Sequence, residues 1–316
     1  MPKVQRATYL PVLKEFLGCD IQISTFKYFL AVAETGSIRQ AALDLHVSAS
    51  AISRQIQNLE HGFQSALFER RPSGMYLTEE GGILALHMRR TIREMELAKA
   101  RINELHDLLA GTLRYATIEG VARAWLFPTI DDFRETYPGV VFSGHIMGTE
   151  AVYEAVENDN VDFGIAMEGD PRHDIEVVRR FSTSFRAAMR NDHPLAGEEV
   201  IGLADLKPFD LTMLSAQFQT RRVLNAAQQR SGIKIRVGFE LEHIELIKSQ
   251  VVSTGGITIL PDYAVAREAS CNEMVVIDMN NEEFPPGGTL LCVRRGRELS
   301  RAASIFIEQL KQRSIP

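Results

Sequence analysis

At 316 residues, with 45% hydrophobic and 24% charged side chains, the chain is long enough for two or three domains with real cores. No apolar run approaches the roughly eighteen residues of a membrane span, and Pro11, Lys14 and Glu15 interrupt the stretch where a signal peptide needs an unbroken apolar core, so a cytoplasmic protein is expected. The net charge of −6 is uneven: residues 1–110 hold 13 basic and 12 acidic side chains against 22 and 29 in the remainder, so bulk charge alone does not point to nucleic acid.

Residues 1–20 read as an N-terminal extension. Ser24 is then placed to cap a helix carrying Phe26, Phe29, Leu30 and Ala33. Ser37 with Gln40 three residues on reads as a capping box, and the small Ala41 and Ala42 allow a second helix to cross closely. His46-Val47 is too short for anything but a tight corner, after which Ser48 can cap the next helix. On that helix Ile52, Ile56, Leu59 and Phe63 recur at steps of four, three and four and share one face. The opposite face holds Ser50, Arg54 and Gln57, flanked by Ser53 and Asn58, with no acid before Glu60 to repel phosphates. Arg and Gln can read base edges in a major groove about 12 Å wide. This is the makeup of a helix-turn-helix recognition helix, and Ser37 and Ala49 join the candidate DNA contacts. A solvated polar face on an ordinary helical hairpin fits these residues equally well.

Leu67 to Arg70 and Met75 to Leu77 flank Arg71-Pro72-Ser73-Gly74, a hairpin with turn chemistry at its tip. As a wing it would offer Arg70 and Arg71 to phosphate or the minor groove; two solvated arginines on a loop are the plain alternative. A proline-free helix is expected from Thr78 to Ala110, ended by Gly111. Leu84, Met88, Thr91, Met95, Ala98, Ile102, Leu105 and Leu109 alternate at steps of four and three along it, the spacing of a two-helix seam. A dimer is the expected partner; packing on its own domain is the alternative.

After Thr112 strands alternate with helices. Leu113–Ile118, Val140–Ile146, Val161–Met167, Phe185–Met189, Phe209–Leu214, Ile235–Phe239 and Ile257–Leu260 read as strands, with helices over Val121–Thr136, Thr149–Glu157 and His243–Ser253. That alternation predicts parallel sheets in two lobes with a cleft between. Ligands gather where parallel strands end and helices begin. The rule selects Thr117, Glu119, Gly120 and Val121, then Gly148 and Thr149, then Ser215, and finally Leu241, Glu242 and His243. Glu119 and Glu242 together suggest a ligand with a cationic or hydrogen-bond-donating group; Glu119 could equally serve a helix dipole.

Two sets of motifs carry a family resemblance. Ser37 to Ala42, Ala51-Ile-Ser-Arg-Gln-Ile56, Leu59-Glu60, Leu67-Phe-Glu-Arg70 and Leu77-Thr78 with Gly81 resemble the N-terminal domain of LysR-type transcriptional regulators. Phe127-Pro128, Phe133-Arg134 with Tyr137-Pro138, Asp162-Phe-Gly-Ile165, His193-Pro194-Leu195 and Gly255-Gly-Ile-Thr-Ile-Leu-Pro261 resemble their effector-binding domain, whose fold is like periplasmic solute-binding proteins. The resemblance implies an α/β chain overall: an all-α winged helix-turn-helix over 21–80, a linker helix over 81–111, and a two-lobed α/β effector domain over 112–316. Lobe I would take about 112–182 and 288–316, lobe II about 183–287, with a last helix from Ser300 to Gln312. Effector contacts carry over to Thr117, Gly120, Thr149 and Ser215. The chain departs from the family at Ala49-Ser50, where Gln-Pro is usual, and at Leu241 to His243, where small polar residues are common.

An enzyme is not expected. There is no G-x-S-x-G, H-E-x-x-H, phosphate-cradling Gly-rich loop or His/Cys cluster. Cys19, Cys271 and Cys292 are odd in number and form no C-x-x-C, so no metal site or cofactor is predicted. The implied partners are double-stranded DNA, a small-molecule effector, a second or further copies as homodimer or homotetramer, and RNA polymerase, without a membrane. A C-terminal domain that only oligomerises is the competing reading.

Overall fold

The computed structural model describes residues 23–104 and 109–315; the expected extension over 1–20, Cys19 and Leu105 lie outside them. The chain divides into two compact units, Met1–Ala98 and Lys99–Pro316.

In the first unit, α1 (Ile23–Thr35), α2 (Ile38–Asp44) and α3 (Ala49–Phe63) precede a hairpin of β1 (Phe68–Arg71) and β2 (Gly74–Leu77). Ser37 and Ser48 cap α2 and α3 by accepting from the N–H groups of Gln40 and Ala51. The capping box is half made, because the Gln40 side chain turns outward to Asp44. Ser24 lies inside the first turn of α1 rather than ahead of it. Phe29, Val32, Ala41, Ile52, Leu59 and Leu67 fill one core, and the buried Ala41 and Ala42 let the helices cross closely. Phe63, expected in that core, is 39% exposed because the last turn of α3 runs past it. The hairpin is docked at Gly74, whose φ of +135° suits glycine. A Cβ there would stand 2.8 Å from the Gly36 carbonyl oxygen, which accepts from the N–H of Met75.

The linker helix α4 runs Glu79–Glu104 and does not reach Gly111, which opens the next strand. Three of its eight expected seam residues are used locally. Met88 is buried and Leu84 half-buried in the first unit's core, while Leu109 packs on the core of the second unit. Met95 and Ile102 are each 58% exposed, and Thr91 and Ala98 are exposed with them.

The second unit is two-lobed. Lobe I holds β3 (Gly111–Thr117), β4 (Val140–Ile146), β5 (Phe163–Met167), β6 (Ile175–Thr183) and β13 (Gly287–Arg294), in the order β4-β3-β5-β13-β6. Lobe II holds β7 (Phe185–Met189), β8 (Val200–Ile201), β9 (Leu211–Leu214), β10 (Val237–Leu241), β11 (Ile257–Pro261) and β12 (Val275–Met279), in the order β10-β9-β11-β7-β12-β8. The sheets are mixed, not parallel throughout as expected. β13 runs antiparallel to β5 and β6, and β7 antiparallel to β11 and β12, because the chain enters and leaves each lobe by strands that join the other sheet directly. Only Ser184 separates β6 from β7; its N–H and hydroxyl both donate to Asp262 Oδ2, at 3.0 and 2.7 Å.

Helices cover the sheets. Lobe I has α5 (Glu119–Val121), a π-helical turn over Ala122–Leu126, α6 (Phe127–Thr136), α7 (Thr149–Glu157) and the terminal α12 (Arg301–Gln312). Lobe II has α8 (Leu203–Leu206), α9 (Gln219–Ser231), α10 (Ile244–Thr254) and α11 (Asp262–Ser270). One apolar cluster runs through both lobes, joining Trp125, Phe163 and Phe306 to Ile244, Ile247 and Tyr263. Asp162 explains part of its motif: its Oδ2 accepts from the N–H of Arg114 on β3 at 2.6 Å, and its Oδ1 meets the guanidinium of Arg297, which also reaches Asp159 at 2.7 Å.

Candidate nucleic-acid interface and inter-lobe cavity

The two faces of α3 separate as its spacing requires. Ile52, Ile56 and Leu59 are buried, while Ala49, Ser50, Arg54, Gln57 and Asn58 are exposed and Ser53 and Ser37 half-buried. Among the described residues, Arg54, Gln57 and Asn58 have no side-chain partner, so their donors and acceptors are available. Glu60, at the edge of this face, is engaged elsewhere, because its Oε1 accepts from the N–H groups of Leu67 and Phe68 at 3.0 and 3.3 Å. Helix α3 therefore holds the base of the hairpin. At the tip the two arginines differ. Arg70 is exposed and unpaired among the described residues, whereas Arg71 is bound to Glu69 and lies 4.9 Å over the Tyr76 ring. Arg70 thus keeps its charge free, whereas that of Arg71 is partly cancelled.

The ligand rule leads to one place. The carboxyl ends of β3, β4, β9 and β10 converge on a cavity of about 150 Å³ between the lobes. Of the expected residues, Glu119, Gly120, Gly148, Thr149, Glu242 and His243 line it. The others do not. Thr117 and Val121 are fully buried behind it, Leu241 packs on the core, and the buried Ser215 hydroxyl faces no partner. Lining residues that the sequence reading missed include Met167, Phe218, Gln219, Thr220, Pro261 and Tyr263. Applying the same strand-to-helix rule to the β11–α11 junction would have found Pro261 and Tyr263. Gly120 is required by close approach: a Cβ would sit 2.9 Å from Tyr263 Cε2. Tyr263 lines the cavity while its hydroxyl is buried away from it, and burial pushes the phenol well above its ordinary range, so it stays protonated.

The expected pair of carboxylates is not available as a pair. Glu119 Oε2 accepts from the N–H of Ile244 at 2.9 Å and Oε1 from that of Glu245 at 3.3 Å, so this carboxylate caps α10. It serves a helix of the opposite lobe, not its own. Glu242 accepts from Gln217 at 3.0 Å on the exposed rim. A cationic ligand loses its main support. The free groups in the cavity are instead donors: Gly148 and Phe218 are the N-cap residues of α7 and α9, and neither supplies a side-chain cap. Thr149, 6% exposed, stands at the first of these ends with no side-chain partner among the described residues.

A second, larger cavity of about 420 Å³ lies behind Gly120 and Tyr263. Its charges satisfy one another. Lys248 Nζ is 2.7 and 2.8 Å from Glu245 and Glu268, Arg123 pairs with Glu245, and Arg267 meets Glu268 and Glu273 at 3.5 and 3.4 Å. Burial pushes the Glu245 carboxyl up, but the hydrogen bonds from Arg123 and Lys248 outweigh it and leave the group below its ordinary range. This is an ion cluster joining the lobes.

The chain thus combines a helix-turn-helix unit, whose α3 leaves one face free, with a two-lobed α/β domain that holds a small cavity between its lobes. Comparison with known proteins agrees. The model of the bacterial regulatory helix-turn-helix protein, lysR family, matches residues 23–82, and that of the LysR substrate binding domain matches residues 106–314. The chain belongs to the LysR family and is a DNA-binding transcriptional regulator with an effector-binding domain. It is 30% identical over 293 residues to the transcriptional dual regulator GltC of Bacillus subtilis (strain 168), covering 91% of this chain and 96% of that protein. It is 27% identical over 289 residues to the regulator CysL of the same organism, covering 92% and 93%. Full-length OxyR from Pseudomonas aeruginosa has a similar fold, with a TM-score of 0.69 at 20% identity over 93% of this chain and 94% of that one. So does full-length CbnR complexed with its target DNA, at 0.63, 20%, 92% and 99%. Among the described residues no helix is long and apolar enough to cross a membrane and no His/Cys/Asp/Glu group could hold a metal ion.

Proposed function

We propose that this regulator binds a pseudo-palindromic operator as a homodimer or homotetramer, and that a small anionic effector in the inter-lobe cavity changes the arrangement of its heads. In this reading α3 lies in the major groove with Arg54, Gln57 and Asn58 toward base edges, while Arg70 at the wing holds phosphate. The exposed stripe of Thr91, Met95, Ala98 and Ile102 on α4 supplies the seam between protomers, at the spacing two helices need. Two reading heads match two half-sites about one or more helical turns apart.

The anionic class rests on one observation. The uncapped N-termini of α7 and α9 reach the same small cavity from opposite lobes, with the unpartnered Thr149 beside one of them. A carboxylate or phosphate there would accept from both lobes at once and so distinguish one lobe arrangement from another, which population shift demands. A solved structure of the Synechocystis PCC6803 CcmR regulatory domain carries 2-PG; it is 25% identical, with a TM-score of 0.58 over 64% of this chain and 96% of that one. It supports a small-molecule occupant for this kind of domain.

The test has two arms. Purified protein should select fragments of its own genome over random DNA at physiological salt; no preference overturns the operator half. A thermal-shift screen of small carboxylates and phosphates should find one that stabilises by mass action. Stabilisation by amines alone would return the cationic reading, and by nothing would leave the domain an oligomerisation unit.

A further inference from the structure

The α5 segment of lobe I grips one turn of a helix in lobe II. Glu119 supplies both carboxylate oxygens to the N–H groups of Ile244 and Glu245, and α10 has no side-chain cap of its own at His243. Four residues on, Arg123 pairs with the side chain of Glu245 in that same turn and lies 3.8 Å from Glu268. The two grips have opposite sign: a carboxylate meets the positive end of the helix and a guanidinium meets its first acidic side chain. Ile244, Ile247 and Val251 on the buried face of α10 belong to the core shared by the lobes. The lobes cannot shift here without moving α10 or breaking its cap.

Glu119 also lines the inter-lobe cavity, together with Thr149 and Thr220 from the two helix starts. The cavity is small, about 150 Å³. Any anion inside it lies well within one Debye length (about 8–10 Å) of the Glu119 carboxylate. We propose that Glu119 is the positioning residue through which occupancy is reported: its cap on α10 sets the lobe arrangement of the empty protein, and a bound anion weakens that cap by like-charge repulsion. The inference rests on the anionic reading of the cavity given above. Coupling of this kind is reciprocal, so Glu119 must also weaken the anion.

The protein carries its own reporter. Trp125 is the sole tryptophan of the chain, lies two residues beyond Arg123, is fully buried and meets the Phe181 ring edge-on at 4.8 Å. The experiment titrates the full-length protein with sulfate, phosphate, acetate and succinate at constant ionic strength, following Trp125 emission. Wild type should give a saturable change with at least one of these anions. Glu119→Gln, which keeps an oxygen acceptor but no charge, should bind that anion about five-fold or more tightly, at the low end of ordinary site-to-site coupling, with a smaller emission change. Glu119→Asp, which keeps the charge, should retain wild-type affinity. Circular dichroism checks that each variant is folded; should Glu119→Gln not fold, Glu119→Asp and Arg123→Gln decide, since the latter loosens the same turn without removing the charge and should shrink the emission change alone. Saturable binding with equal affinity in wild type and Glu119→Gln would overturn the proposal and leave the anionic reading standing. No saturable change with any anion, in wild type or variant, would overturn the anionic reading itself.

Discussion

The reading face of α3 and the inter-lobe cavity solve opposite problems. On α3 the candidate side chains Arg54, Gln57 and Asn58 are exposed and have no partners among the described residues, so a single helix with two faces is enough. In the cavity the side chains that looked most chemical are committed elsewhere: Glu119 caps α10 and Glu242 is held by Gln217. What remains free there is mostly backbone, at two helix starts brought together from far apart in the chain. The exposed helix face keeps its side chains free, whereas the cavity has its carboxylates spent on contacts within the domain.

The largest effect should test the two-faced character of α3 itself. Leu59→Ala removes a side chain 1% exposed in the first unit's core and should lower the stability of that unit by about 2–5 kcal/mol. Its neighbour Asn58→Ala should stay within about 0.5 kcal/mol and be felt only on DNA. Equal losses in chemical denaturation would mean that the helix is not divided as described. Next, Arg54→Ala should cost about 1–3 kcal/mol at the operator and relax specificity, with the melting temperature unchanged. Footprints identical to wild type would place the recognition face on other residues.

Much of this contrast was legible beforehand, for physical reasons. The period of Ile52, Ile56 and Leu59 is a local property of one helix, so both its faces could be read directly, and only Phe63 was misplaced where α3 outruns its core. Gly148 and Thr149 were reachable because a strand followed at once by a helix marks a cavity edge. Strand direction was not legible. β6 places Glu176, Arg179 and Arg180 among its apolar residues and shows no clean alternation of buried and exposed positions, and nothing in β13 announces that it runs antiparallel to β5. The Glu119 cap joins residues 125 apart in sequence, and no local pattern records such a contact. Phe218, Gln219 and Thr220 were missed because the strand-to-helix rule was stopped at Ser215, short of the helix it introduces.

On the cavity side, Thr149→Val should spare operator binding and weaken a stabilising anion by about 0.5–1.5 kcal/mol, the net worth of one hydrogen bond. Thermal shift against anion concentration measures the one and fluorescence anisotropy on operator DNA the other. Loss of both together would make Thr149 a structural residue and erase the distinction between a reading face and a sensing cavity.

The smallest effect separates the two units by pH. His193 in lobe II is buried, its Nδ1 accepts from the N–H of Leu195 at 3.2 Å, and its ring lies 4.6 Å from that of Phe209. Burial pushes its pKa below the ordinary 6.5, against a smaller upward pull from Asp192. Protonation would both charge a buried ring and remove the acceptor of Leu195. Because the folded-state value is depressed, the contribution is fully present above about pH 6.5 and declines as pH falls toward the folded-state value. His46, His61 and His87 in the first unit are all exposed. Acidification from pH 7 to 5 should therefore lower the melting temperature of the effector domain, followed through the emission of Trp125. His193→Leu should flatten that dependence while leaving operator binding at pH 7 intact. A melting curve just as steep in His193→Leu would assign the pH response to other groups; the Glu245 and Arg123 cluster is not among them, since its contribution declines only as pH falls below about 4.5.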